Sequence, residues 1–216
     1  MNHVKPRSFV FSFGFREDLV LRRLGSLAIR GNEKIVLFTG SPIAQETIMA
    51  YNRLRDYCSE VGLKRPRLVE LPIPDSTEAV IRVKHEVKGL TEPIITDLTD
   101  GKKSVSLAVF MGLLLSGKLF EVFISSEAPL GEELWIPPGI TKAMLALSKE
   151  KRQILAVISR NKHCTVDLIA QKVGRAPKTI RNHLVDLKKM GLVVSLGKEG
   201  GLKLTSWGRV VLSAYK

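Results

Sequence analysis

The stretch EPIITDLTDGKKSVSLAVFMGLLLSG, residues 92–117, decides the fold. Its first part, EPIITDL (92–98), is apolar and β-branched, the composition of a strand buried on both faces. Its last part, 102–116, is apolar at helical spacing. Between them lies TDLTDGKKS, a strand-to-helix turn that carries Asp97, Thr99, Asp100, Gly101, Lys102 and Lys103. Such a turn sets backbone N–H groups and the positive end of a helix at the carboxyl edge of a sheet, where anions are held. It is not a P-loop. The G-x-x-x-x-G-K-[ST] pattern requires a glycine where Thr96 stands, and Lys103 intrudes before Ser104. The missing glycine argues against NTP hydrolysis. The turn after the first strand, SFGFRED, has one glycine and no G-x-G-x-x-G, which argues against a dinucleotide cofactor.

Outward from this stretch the same alternation repeats. Strands are expected at 8–13, 34–38, 67–73, 92–98 and 119–126, with helices at 16–30, 42–62, 75–89 and 102–116 between them. Pro42 is expected at a first helical position, and Asp75 with Glu78 three residues later reads as a helix start. The segment 132–137 pairs with 119–126 as an antiparallel edge hairpin across EAPLG. This order implies a Rossmann-like α/β fold with a mostly parallel sheet, helices on both faces and ligands at the carboxyl ends of the strands. The segment 137–147, PPGITKAMLAL, reads as a break. Two domains follow, 1–140 and 141–216.

Charge separates these two parts. The chain has 216 residues and a net charge of +13. Residues 1–140 carry 18 Lys and Arg against 17 Asp and Glu, a net of +1; residues 141–216 carry 16 against 4, a net of +12. A near-neutral module joined to a strongly cationic one points to a polyanion-binding C-terminal domain. The longest apolar run, Val105 to Leu115, is too short for a bilayer span, which takes about 20 residues. The N-terminus shows no signal-peptide pattern. Two widely separated cysteines, Cys58 and Cys164, fit a reduced, cytoplasmic setting without a disulfide framework.

The C-terminal part reads as helices at 148–161, 165–174 (capped by Thr165, closed by Gly174) and 178–191, then two strands around a glycine-rich tip and a short final helix. That is the plan of a winged helix-turn-helix domain, and Leu204-Thr205-Ser206-Trp207-Gly208 resembles the LTxxG that follows the wing in such regulators. On the third helix Ile180, Leu184 and Leu187 form an apolar face. Lys178, Arg181, Asn182, Val185 and Lys189 lie opposite, where Arg reads guanine and Asn reads adenine in a major groove. Lys178, Arg181, Asn182 and Lys189, with Arg175, Thr179, and Lys198 and Lys203 of the wing, are the expected DNA-binding residues. His3, His85, His163-Cys164 and His183 lack paired ligand spacing, so no metal is expected.

The loop also fits [DN]-x-[ST]-x-x-x-[RK] through Asp97, Thr99 and Lys103. In this place, with SFGF after the first strand, SPI after the second and EPII leading into DLT, it resembles the CRISPR-associated Rossmann-fold (CARF) domain. The whole layout resembles CARF transcriptional regulators with a C-terminal winged helix. The resemblance implies a homodimer whose paired loops form one pocket for a cyclic oligoadenylate, most often the tetra-adenylate, and a double-stranded operator with two half-sites. It places Ser12, Gly14, Phe15, Asp97, Leu98, Thr99, Gly101, Lys102 and Lys103 at the ligand, with Thr99 and Lys103 foremost, Phe15 able to stack on adenine and Asp97 orienting the loop. No cofactor and no catalytic residue are expected. Two other readings stand beside this one. The first is a ring nuclease that cleaves its own cyclic ligand by 2′-hydroxyl attack, positioned by Ser12 and Lys103. The second is a winged-helix regulator with a different small ligand.

Overall fold

A computed structural model describes residues 7–27, 29, 31–126, 131–161, 163–197 and 201–215. The chain divides between Ile136 and Pro137 into two compact units.

The first unit is built on β1 (Ser8–Ser12), β2 (Lys34–Gly40), β3 (Arg67–Leu71), β4 (Ile94–Asp97), β5 (Phe120–Ser125) and β6 (Glu133–Ile136). They form one sheet in the order β3-β2-β1-β4-β5-β6. β1 pairs in parallel with both β2 and β4, β2 with β3 and β4 with β5, whereas β6 runs antiparallel to β5. The strand order reverses at β1 and β4, the crevice where doubly wound sheets take their ligands. Four helices cross between strands: α1 (Glu17–Ser26), α2 (Gln45–Glu60), α3 (Ser76–Lys88) and α4 (Lys103–Ser116).

The alternating strand pattern divides the core. Phe9, Phe11, Ile35, Leu37 and Ile95 face one side, with Val20 and Leu24 of α1 and Ala50 and Leu54 of α2. Val10, Val36, Phe38 and Ile94 face the other, with Val83 of α3 and Val105, Val109 and Leu113 of α4. Both faces are covered, which is why the strands read as continuous apolar runs. Asp75 caps α3 by accepting the Glu78 N–H. α4 is apolar around most of its circumference and leaves Leu107, Met111 and Leu115 exposed at i, i+4, i+8.

The second unit consists of α5 (Pro138–Ala146), α6 (Lys149–Arg160), α7 (Val166–Val173), α8 (Pro177–Lys189), the antiparallel pair β7 (Val193–Ser195) and β8 (Leu202–Leu204), and α9 (Ser206–Ser213). Thr165 and Gly174 cap α7 as expected, Gly174 at φ 68°. The LTxxG segment has a physical basis. The Thr205 hydroxyl accepts the Gly208 N–H and donates to the Gly191 carbonyl, and a Cβ on Gly208 would sit 2.1 Å from the Leu192 carbonyl oxygen.

Three local expectations are corrected. Residues 138–146 form α5 rather than a break, because Pro138 occupies the first helical turn, where its missing N–H costs nothing. α2 begins at Gln45 after Ala44, so Pro42 lies in the preceding loop. α1 ends at Ser26. Most of the EAPLG turn and the wing tip with Lys198 lie outside the described residues. Among the described residues no helix is long and apolar enough to cross a membrane, and Cys58 and Cys164 are buried and free.

Candidate functional site

The loops after β1, β2 and β4 meet at the carboxyl edge of the sheet around a cavity of about 510 Å³. The β1 loop contributes Phe13, Gly14 and Phe15, and the β4 loop contributes Thr99, Asp100, Gly101 and Lys102. Thr39, Gly40, Pro42, Ala44, Glu46 and Thr47 complete it from the β2–α2 corner. None of these residues was among the expected ligand residues, although SPI, with Pro42, was one of the points of resemblance. The signal for this third wall was the segment TGSPIAQET, which follows a buried strand at the ligand edge.

Two carboxylates shape the β4 loop. Asp97 is buried, and its Oδ1 accepts the Thr99 N–H at 3.0 Å and the Thr99 hydroxyl proton. Its Oδ2 accepts Arg23 Nε at 2.7 Å. Arg23 also donates to Glu133 and Ser125 and lies 4.0 Å over the Phe123 ring. Burial works against the Arg23 charge, but its hydrogen bonds to Glu133 and Asp97 prevail and hold its pKa above the usual value. Burial also pushes the Glu133 carboxyl up, and the bonds from Arg23 and Ser125 outweigh it, leaving that pKa below the usual range. The second carboxylate, Asp100, accepts the N–H groups of Gly14 at 2.8 Å and Arg16 at 3.2 Å. Asp100 thus clamps the β1 loop against the β4 loop. A Cβ on Gly14 would come within 2.8 Å of that carboxylate, so the close approach requires glycine. Gly101, at φ 84°, closes the turn.

The expected ligand residues therefore separate by position. Ser12 is buried; its hydroxyl donates to the Asp100 carbonyl and accepts from Ser106. Thr99 lines the cavity, but its proton goes to Asp97 and its oxygen accepts the Ser125 N–H at 2.9 Å. Leu98 turns into the core. Lys102, not Lys103, lines the cavity, while Lys103 is the exposed first residue of α4. Phe15 is 63% exposed at the rim. Among the described residues, the polar side chains that line the cavity without a partner are Lys102, Glu46, Thr39 and Thr47, and the exposed Phe15 ring lines it with them.

In the second unit α8 buries Ile180, Leu184 and Leu187 and exposes Lys178, Arg181, Asn182, Val185 and Lys189. Thr179 is half-buried. Lys203 is exposed between buried Leu202 and Leu204 on β8. Arg175 is paired: its guanidinium reaches Glu150 at 2.6 Å. Glu150 also lies 3.2 Å from His183 Nε2, without hydrogen-bond alignment. Lys151 reaches Asp186 at 2.8 Å. The first turn of α6 thus pins α8 from behind. The Arg175 hydrogen bond holds the Glu150 carboxyl below its usual range, and the Lys151 bond does the same for Asp186. Pairing of this kind across helices gives no periodic signal in the sequence.

A family described as the Csa3 CRISPR-associated Rossmann-like domain matches residues 7–137, and one described as winged helix-turn-helix, DNA-binding, matches residues 147–194. A protein of Saccharolobus solfataricus, described as "CRISPR locus-related putative DNA-binding protein Csa3", is 27% identical over 211 residues, covering 97% of this chain and 89% of its own. Among solved structures, Can2 from Sulfobacillus thermosulfidooxidans in complex with cyclic tetra-adenylate aligns at 12% identity and TM-score 0.43. Protein VC1899 from Vibrio cholerae aligns at 11% and 0.41. Each alignment covers 97% of this chain, which spans only 64% and 65% of those longer chains, and at such scores neither bears on the argument. The first family match takes in well over half of the residues and the whole of the six-stranded unit, and on that ground the chain belongs to the Csa3 CRISPR-associated Rossmann-like family, with a winged helix-turn-helix domain following it.

Proposed function

We propose that this chain is a cytoplasmic, homodimeric transcription regulator of CRISPR loci that senses a cyclic oligoadenylate, the tetra-adenylate, through its first unit and binds double-stranded DNA through its second. The observation that carries the reading is the cavity at the β1/β4 reversal. It offers Lys102, unpaired among the described residues, glycine-loosened backbone and the N-terminus of α4 for phosphate. The exposed Phe15 ring at its rim suits an adenine face. The carboxylates of the β4 loop, Asp97 and Asp100, are spent on the loops themselves, so they do not compete for the ligand.

A ring of adenylates has the symmetry of a two-fold site. α4 begins at the ligand loop and carries the exposed stripe Leu107, Met111 and Leu115, an apolar face suited to meeting its own copy. On the DNA side, Lys178, Arg181 and Lys189 supply cations, Asn182 an adenine reader and Val185 an apolar contact for a thymine methyl group. The burial of Ser12, with its proton committed to a backbone carbonyl, gives the ring-nuclease reading no support.

The direct test is calorimetric titration with cyclic tetra-adenylate against adenosine monophosphate. Saturable heat with one ring per dimer is expected. Heat no greater than that of the monophosphate removes the ligand assignment and leaves the DNA-binding assignment standing.

A further inference from the structure

The cavity has two polar walls of opposite character. On the β4–α4 side stands the Lys102 ammonium beside the start of α4. At the β2–α2 corner stand Thr39 and Thr47, each only 5% exposed, and the carboxylate of Glu46. Among the described residues neither threonine hydroxyl nor the Glu46 carboxylate has a hydrogen-bond or ion-pair partner. A valine would fill either threonine site with the same shape, so two near-buried hydroxyls opening on a cavity are groups waiting for a partner. The corner contributes no cation, and its carboxylate repels phosphate. Glu46 is exposed, and an apolar group would leave the two threonine hydroxyls unsatisfied. What satisfies them is a neutral group rich in O–H donors.

We propose that Thr39, Glu46 and Thr47 form a ribose-hydroxyl subsite in which the Glu46 carboxylate accepts a hydrogen bond from a 2′-hydroxyl of the ligand. The assignment rests on the cyclic oligoadenylate reading and names what that ligand's sugar meets. The spacing favours sugar over base. The Lys102 stem comes within 3.8 Å of the position a Cβ would take on Gly40, the residue next to Thr39. The phosphate-binding cation and the hydroxyl corner therefore adjoin, as a phosphate and the ribose bonded to it do. Phe15, the ring suited to the adenine face, belongs to the β1 loop rather than to this corner. Glu46 sits in the first turn of α2, and an O–H bond to a carboxylate is among the stronger kinds.

The experiment compares cyclic tetra-adenylate, its all-2′-deoxy counterpart and cyclic tetra-inosinate on the full-length wild-type protein and on E46A, E46Q and T47V. Wild type is expected to bind the ribose ring at least ~10-fold more tightly than the deoxy ring, the range of one charge-assisted hydrogen bond. E46A is expected to bring the two near parity, E46Q to keep part of the preference, and T47V to weaken ribose-ring binding a few-fold. Equal binding of the two rings by wild type overturns the subsite while leaving the ligand reading intact. So does an E46A protein that keeps its ribose preference and loses discrimination of adenylate from inosinate. Failure of wild type to bind any of the rings overturns the ligand reading itself, and the subsite with it.

Discussion

Asp97 and Asp100 sit where a phosphate ligand would be repelled by free carboxylates, and both are tolerated because neither is free. Asp97 is consumed by Arg23, the Thr99 N–H and the Thr99 hydroxyl, and Asp100 by two N–H groups of the β1 loop. They fix the loops, and Lys102 faces the cavity. Stability and binding should therefore separate by residue. Arg23→Leu strands a buried carboxylate and should cost about 3–5 kcal/mol. Lys102→Ala, at an exposed position, should stay within about 0.5 kcal/mol of wild type yet weaken cyclic tetra-adenylate about 10-fold or more through the lost charge-assisted contact. Urea unfolding beside calorimetry reads both. A Lys102→Ala protein that unfolds early and binds normally would reverse the assignment. The loop was legible in the sequence, but which of the neighbouring lysines faces the cavity was not. Lys102 is the extended N-cap at ψ 139° and Lys103 the first helical residue. One residue along a helix turns a side chain by about 100°, and no periodic pattern places a helix start to within one residue.

Elements were legible where one face is apolar and the other wet, as in α6 and α8, or where both faces are buried, as in the strands. They were less legible where a proline stands for two opposite things. In the 137–147 segment Pro138 starts α5. In the 42–62 segment Pro42 precedes α2 and lines the cavity instead. The contact between α3 and α4 is also invisible to pattern, because it depends on an absent side chain. A Cβ on Gly112 of α4 would come within 2.5 Å of the Val83 side chain and 3.0 Å of the Val80 carbonyl oxygen of α3. Gly112→Ala should push the two helices apart at a cost of about 1–3 kcal/mol, although alanine is the better helix former. Gly25 of α1 is the control, since a Cβ there meets nothing within 4 Å. Gly25→Ala should gain up to about 1 kcal/mol. Chemical unfolding of the two variants gives shifts of opposite sign; a stabilised Gly112→Ala protein would show that α3 and α4 have room to spare.

At the scale of the molecule, charge and shape divide between the two units. The cationic excess of +12 over residues 141–216 suits a domain that binds DNA by releasing counterions, and the near-neutral first part adds no attraction for the polyanion. In the proposed dimer, coupling between the two would run through the two-fold axis, since a two-fold ligand and a two-half-site operator would each need both copies. The exposed stripe on α4 is where this dependence is exposed to test. Replacing Leu107 and Met111, 65% and 45% exposed, by glutamate leaves each core untouched but would set like charges against each other across the proposed dimer face. The double variant should sediment as a monomer, melt near the wild-type temperature and lose cyclic tetra-adenylate binding, because half of a shared site remains. On DNA its log–log salt slope should fall to about half that of the dimer, as each phosphate neutralised contributes roughly −0.9. Arg181→Ala in the intact dimer should instead lower the slope by about one unit for each α8 that contacts a phosphate. A double variant that stays dimeric would place the interface elsewhere, and a monomer that still binds the ring tightly would mean that one copy holds the whole site.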